Sequence, residues 1–343
     1  MTCSFSPALI SISAHLLSLA VPYRPCPAFI MPPSSGASSP PSSRRSARLA
    51  AQAQRSAADS APDNPAEPFD LAGLTVLPIP NIDNIATVYT HAEERRAQLD
   101  QGPAQDTLIY YNATTAHLDA LRSADPYEKY PGRITFFGDE IGLVFFRMPR
   151  PIYETAHLRL FLRINNMIVQ MGLEGKFVAT GSSEYKGTGT KKKEGDSGLL
   201  PKPPRWAGNH YPTLVIEAGN SESLPRLYKD KDWWFDNSPP NLPQGDVRIV
   251  LLVKVYRQTK RIVVEQWHRS FYQSPTAKVI IQPHPHKPFS LHDSSHWVVE
   301  GAMAIPFQEV FLRPTQGQET DIVLTEGFFA DMAMECWQRD TMV

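Results

Sequence analysis

Tyr211-Pro-Thr-Leu-Val-Ile-Glu-Ala-Gly-Asn-Ser-Glu-Ser223, with the lone acid Asp196 a short loop upstream, is the stretch around which the other segments fall into place. Thr213, Leu214, Val215 and Ile216 form the β-branched, apolar run of a buried strand, and the run ends on a carboxylate, Glu217. Ala218 and Gly219 leave the backbone beside that carboxylate uncrowded, and residues 220–223 supply helix-capping side chains ahead of Leu224 and Pro225. A charge that closes a buried strand is costly unless it is paired or bound to a metal, which makes Glu217 the first candidate for chemistry. An isolated strand-end glutamate is more often solvated or salt-bridged, so its neighbours decide.

Two segments, Lys193-Glu-Gly-Asp196 and Pro212-Thr-Leu-Val-Ile-Glu217-Ala-Gly, together resemble the PD-(D/E)XK nuclease superfamily. Within it, the chain is most similar to the branch of proposed restriction endonucleases and to a group of fungal proteins of unassigned function, over residues 150–275. The resemblance implies an α/β, restriction-endonuclease-like core: a small mixed sheet flanked by helices, in which an Asp precedes a strand carrying Glu-x-Lys. It implies Asp196, Glu217 and the backbone carbonyl of Ala218 as ligands of Mg²⁺ or Mn²⁺, hard cations that take oxygen donors. The implied activity is hydrolysis of phosphodiester bonds in DNA or RNA. Gly219 stands where the motif has its lysine. In the bacterial branch a lysine on the following helix substitutes for it, and Lys231 stands where such a residue belongs, so the expected catalytic set is Asp196, Glu217 and Lys231. The resembled fold also places a helix just before the first core strand and sometimes draws a carboxylate from it, which makes Glu154 and His157 accessory candidates.

Periodicity supplies the frame for these residues. Ala156, Leu160, Ile164, Met167 and Met171 recur at helical spacing over residues 153–171, and Gly172 stops the helix. Residues 176–181 read as a strand and 182–195 as a polar loop; Asp196 begins the next short strand, which Pro201-Lys-Pro-Pro204 ends. Lys186, Lys191, Lys192 and Lys193 in that loop are the expected nucleic-acid contacts, since ammonium groups ahead of a metal-binding Asp sit where a phosphate backbone must lie. The competing view is a solvated loop. Over residues 224–235 one helix face carries Leu224, Leu227, Tyr228, Lys231 and Phe235, with Trp234 beside them, so Lys231 is the basic residue directed at the sheet. A lysine snorkelling at the core edge would give the same pattern.

Residues 247–256 form a near-continuous apolar strand that pairs with 261–267 across a turn, and such strands imply a sheet covered on both faces. Trp206, Trp233, Trp234 and Trp267 read as core and rim, not as a base-stacking platform. Gln282-Pro-His-Pro-His286 with His292 and His296 reads as a proline-rich loop, because its spacings match no familiar zinc site. Residues 305–312 look like a strand and 324–337 a closing helix.

With 343 residues, 42% of them hydrophobic, the chain has material for one sizeable core behind a tail, and a formal charge of -1 leaves nucleic acid to be met by a local patch. The expected organisation is a disordered tail over 1–68, an amino-terminal elaboration over 69–150, the nuclease-like core over 151–275, and a carboxy-terminal extension over 276–343. Residues 8–21 are apolar but lack the basic lead and cleavage site of a signal peptide, and Met31 is the better expected start. Cys3, Cys26 and Cys336 make no disulfide framework or metal spacing, which points to a reducing, intracellular setting, cytoplasmic or nuclear, with no membrane span. Against the enzyme stands a second function, a catalytically inactive nuclease fold that binds nucleic acid or serves as a scaffold, favoured by the missing lysine.

Overall fold

The structure, a computed structural model, describes residues 75–341 except 102–105, 125–132, 139–141, 149, 182, 206, 220–223, 239 and 242–244. The expected tail, Met31, Cys3, Cys26, Trp206 and the capping residues 220–223 lie outside the described residues. In chain order the strands are β1 (Val76–Pro78), β2 (Thr107–Tyr111), β3 (Arg133–Gly138), β4 (Leu143–Arg147), β5 (Phe177–Thr180), β6 (Glu184–Lys186), β7 (Lys192–Glu194) and β8 (Ser197–Pro201). They continue with β9 (Leu214–Gly219), β10 (Ile249–Tyr256), β11 (Arg261–His268), β12 (Ala277–Pro283), β13 (Trp297–Glu300), β14 (Met303–Ile305) and β15 (Ile322–Leu324). The helices are α1 (Thr87–Gln101), α2 (Thr115–Ala124), α3 (Pro151–Gln170), α4 (Leu224–Asn237), α5 (Phe307–Phe311) and α6 (Glu326–Thr341).

Two mixed sheets and their helices make an α/β architecture. A seven-stranded sheet runs in the order β13-β12-β11-β10-β9-β8-β5, and a six-stranded sheet in the order β1-β2-β4-β3-β7-β6. In the larger sheet β5, β8 and β9 are antiparallel neighbours, as are β10 to β13, and β9 runs parallel to β10 at the seam between the two groups.

Strand alternation sorts the side chains of β9 between two cores. Leu214, Ile216 and Ala218 pack towards α3 and α6, together with Ala156, Leu160, Ile164 and Phe329. Val215 packs on the opposite side with Leu227, Trp233 and Trp234 of α4 and with Phe136 and Phe145 of the smaller sheet. A third core, formed by Val88, Leu118, Leu121, Phe137 and Phe146, covers the far face of that sheet with α1 and α2. The stripe Ala156, Leu160, Ile164, Ile168 on α3 is fully buried, and each large aliphatic side chain in it contributes about 1.5–3 kcal/mol relative to exposure.

Two expectations are corrected. Residues 182–195, read as a loop, contain the hairpin β6–β7, which joins the smaller sheet by pairing β7 with β3. Residues 305–312, read as a strand, hold only the end of β14 and then α5, because Pro306 cannot continue a ladder but suits the entry to a helix. No helix among the described residues is long and apolar enough to cross a membrane.

Candidate functional site

The alternation that sends Val215 towards α4 sends Glu217 the same way. Its Oε1 accepts a hydrogen bond from Trp234 Nε1 at 2.5 Å and lies 3.4 Å from Lys193 Nζ. Lys193 arrives from the other sheet. On β7, Lys192 and Lys193 point to opposite faces: Lys192 is half-buried beside Glu184, at 3.6 Å, and Lys193 turns into the core. There its Nζ donates to Asp230 Oδ1 of α4 at 2.6 Å, while Arg226 Nε stands 3.9 Å from the other oxygen of Asp230.

Burial pushes the Glu217 carboxyl up to about 8; Lys193 opposes the rise, and the charges of Asp196 and Asp230 add to it. Burial likewise works against the Lys193 ammonium, yet Asp230 and Glu217 together hold it above the ordinary lysine range. Both partners of one ion pair therefore shift upward. The geometry accounts for this: Lys193 makes its shorter contact with Asp230, so Glu217 receives only part of one cation's field.

Asp196, just before β8, is fixed by two partners. Its Oδ2 accepts from the Ala218 backbone N–H at 2.7 Å and lies 3.5 Å from Arg147 Nη1. Arg147 Nη2 donates to the Ala218 carbonyl at 2.5 Å, and the guanidinium stacks 4.3 Å from the Tyr153 ring centre. A buried guanidinium thus bridges two of the groups expected to hold a metal. On the α3 side, His157 Nε2 contacts Glu154 Oε2 and His157 Nδ1 contacts Ser197 Oγ, both at 3.0 Å. Among the described residues, Glu154, His157 and Asp196 form the cluster in which one donor atom from each lies within 4.8 Å of the others. That donor set fits a cation. Glu217 and the Ala218 carbonyl are instead engaged by Lys193, Trp234 and Arg147.

The structure therefore groups Asp196 with Glu154 and His157, leaves Glu217 on the α4 side of β9 with Lys193 and Trp234, and sends Lys231 elsewhere. Lys231 is buried as its place in the stripe requires, yet its Nζ lies 2.6 Å from Asp232, 3.1 Å from the Tyr272 carbonyl and 4.4 Å from the Trp267 ring centre. Trp234, one turn on, faces Glu217 instead. Lys193, expected to contact phosphate, is 3% exposed and is withdrawn from any surface role. Lys186 is exposed, and Lys191 lines a cleft of about 980 Å³ with Lys229, Trp233, Phe235, Arg269 and Tyr272. Trp233, Trp234 and Trp267 are buried, in keeping with a core role. Sequence reading missed Arg147 altogether and the inward turn of Lys193; strand alternation in 192–194 was the available signal for the second.

No family model matches the chain, and no curated protein matches it. Among solved structures, a DUF820 protein of Anabaena variabilis ATCC 29413, proposed to be a nuclease, aligns with 46% of this chain and 81% of its own, at a TM-score of 0.30 and 11% identity.

Proposed function

We propose that the chain is a divalent-cation-dependent phosphodiesterase acting on nucleic acid, built around Asp196, with Lys193 in the part that the sequence assigned to Lys231. The observation that carries this reading is the meeting of two acids and an ammonium from separate elements: Lys193 Nζ lies 3.4 Å from Glu217, and Asp196 holds the amide one residue beyond Glu217 at 2.7 Å. A bound divalent cation supplies charge neutralisation at a phosphate and a water of lowered pKa.

The protein's own groups divide the remaining work. Asp196, with Glu154 and His157, holds the cation. Arg147, buried over the Tyr153 ring, commits its fork to Asp196 and the Ala218 carbonyl and so acts by holding the Asp196 carboxylate in place. Glu217, pushed up to about 8, changes protonation near neutral pH and so is the group fitted to give and take a proton beside Lys193. In the cleft lined by α4, Lys191, Lys229 and Arg269 offer positive charge to a phosphate backbone, against Asp232 and Asp236 on the same walls.

The test is cleavage of single- and double-stranded DNA and RNA in Mg²⁺ or Mn²⁺ by wild type, Asp196→Asn and Glu217→Gln, with folding followed by circular dichroism. Loss of cleavage on the order of 100-fold is expected for folded Asp196→Asn. Undiminished cleavage by that variant overturns the assignment.

One observation favours the second reading, a non-catalytic binding or scaffold module: the Arg147 guanidinium already bridges Asp196 and the Ala218 carbonyl. Under that reading, the folded protein binds nucleic acid but gives no heat of binding with Mg²⁺ or Mn²⁺ in calorimetry.

A further inference from the structure

We infer that Glu154, His157 and Asp196 form a site for a first-row transition ion of the Mn²⁺ to Zn²⁺ series, taken in preference to Mg²⁺. The inference rests on the reading of Asp196 as a cation ligand, but replaces the all-oxygen pair Asp196 and Glu217 with a mixed nitrogen and oxygen set.

Helix geometry makes the first part of the site. Glu154 and His157 are three residues apart in the opening turns of α3 and share a face, as a Glu-x-x-His pair on a helix does when both groups serve one ion. Their contact, Nε2 to Oε2, is 3.0 Å. Two ligands each about 2.1 Å from one ion and at right angles to each other stand about 3.0 Å apart, so the pair already has the spacing of neighbouring ligands. Asp196 brings a carboxylate oxygen within 4.8 Å of both donor atoms from the adjoining strand edge.

The second part is orientation. His157 is 2% exposed, and Ser197 Oγ sits 3.0 Å from Nδ1 on the side away from Glu154. Without an ion the 3.0 Å contact requires Nε2–H to donate to Glu154; with an ion bound, the Ser197 hydroxyl can accept from Nδ1–H and leave the Nε2 lone pair to the ion, the arrangement that orients a ligating imidazole. Arg147 and the Ala218 amide hold the Asp196 carboxylate by its Oδ2. Imidazole among the donors decides the selectivity: Mg²⁺ keeps to oxygen ligands and water, whereas Mn²⁺, Co²⁺ and Zn²⁺ accept nitrogen.

A metal-free hydrogen bond between His157 and Glu154 is the competing account, and Co²⁺ is the probe that separates the two. Full-length protein stripped with chelator is titrated with Co²⁺ and followed by visible absorption, then challenged with Mg²⁺ in 100-fold excess. Expected are a Co²⁺ band that survives the Mg²⁺ challenge, an apparent affinity at least 10-fold weaker in His157→Ala, and little change in Glu217→Gln. Should His157→Ala fail to fold, Glu154→Gln, at a partly exposed position, is expected to weaken the band in its place. The inference is overturned if folded wild type gives no band, if Mg²⁺ in that excess removes it, or if Glu217→Gln loses it while His157→Ala keeps it. A retained band with no cleavage of any nucleic acid overturns the phosphodiesterase reading and leaves the site standing.

Discussion

Glu217 carries a charge decision that its neighbours leave almost balanced. Lys193 and the Trp234 indole favour the carboxylate, while burial and two nearby acids favour the neutral form, and burial wins. The folded protein therefore keeps a proton on Glu217 between its ordinary value of 4.5 and about 8, a range over which the unfolded chain has lost it. The sign follows directly: the Glu217 contribution to stability is full below the lower value, falls as pH rises through this window, and is constant above it. Urea midpoints measured from pH 4.5 to 9 are expected to decline more steeply for wild type than for Glu217→Gln, with the two curves parallel above about 8. Equal slopes throughout would show that Glu217 is charged in the folded protein at neutral pH. That this carboxylate would be buried and paired was legible, because a charge closing an apolar run is visible in the sequence. Its partner was not, because Lys193 reaches it through the pairing of β7 with β3, a contact between segments more than 50 residues apart in the chain.

Helix α4 leaves little room for a side chain at position 219. A Cβ at position 219 would lie 3.2 Å from Leu227 Cδ2, tighter than side chains normally approach, so the helix packs down onto β9 where that side chain would begin. Gly219→Lys is expected to destabilise the protein by about 1–3 kcal/mol through overpacking, and a second substitution, Leu227→Ala, to recover part of that loss. Chemical denaturation of the single and double variants checks this; additive losses would show that the two positions do not meet. The elements themselves were the most readable feature. The stripe on α3 and the apolar run of β10 identify themselves by period, and the structure gives α3 as Pro151–Gln170 and β10 as Ile249–Tyr256. The face of α4 was read only in part: Lys231 is buried, but so are Arg226, Asp230 and Trp233, because the helix is covered by the smaller sheet as well as by β9. Sequence spacing stops short of the ammonium's partners: a flexible four-carbon stem takes it to Asp232, Tyr272 and Trp267.

Across the molecule, Lys193 is a tie between layers: its backbone lies in the smaller sheet, and its ammonium meets Glu217 of the larger sheet and Asp230 of α4. Removing one member of a buried ion pair leaves the other uncompensated at a cost of about 3–5 kcal/mol. Lys193→Met is expected to lose about that much and to speed amide exchange in β3, β7 and β9 together; adding Asp230→Asn is expected to return part of the stability. Exchange confined to the β6–β7 hairpin would mean that the sheets do not depend on this contact. Such layering could not be read from the amino-acid pattern, because the order of strands within a sheet is a property of the assembled chain.

The parallel seam between β9 and β10 has a bearing on how the polypeptide reaches this state. Each antiparallel group can zip up from near neighbours, but joining them requires the intervening segment, α4 included, to be carried across first. Until that crossing is made, the hydrogen-bonding edges of Leu214–Gly219 and Ile249–Tyr256 are both open and both strongly apolar. A newly synthesised copy is then most exposed to self-association along the two strands that later lie deepest in the finished protein.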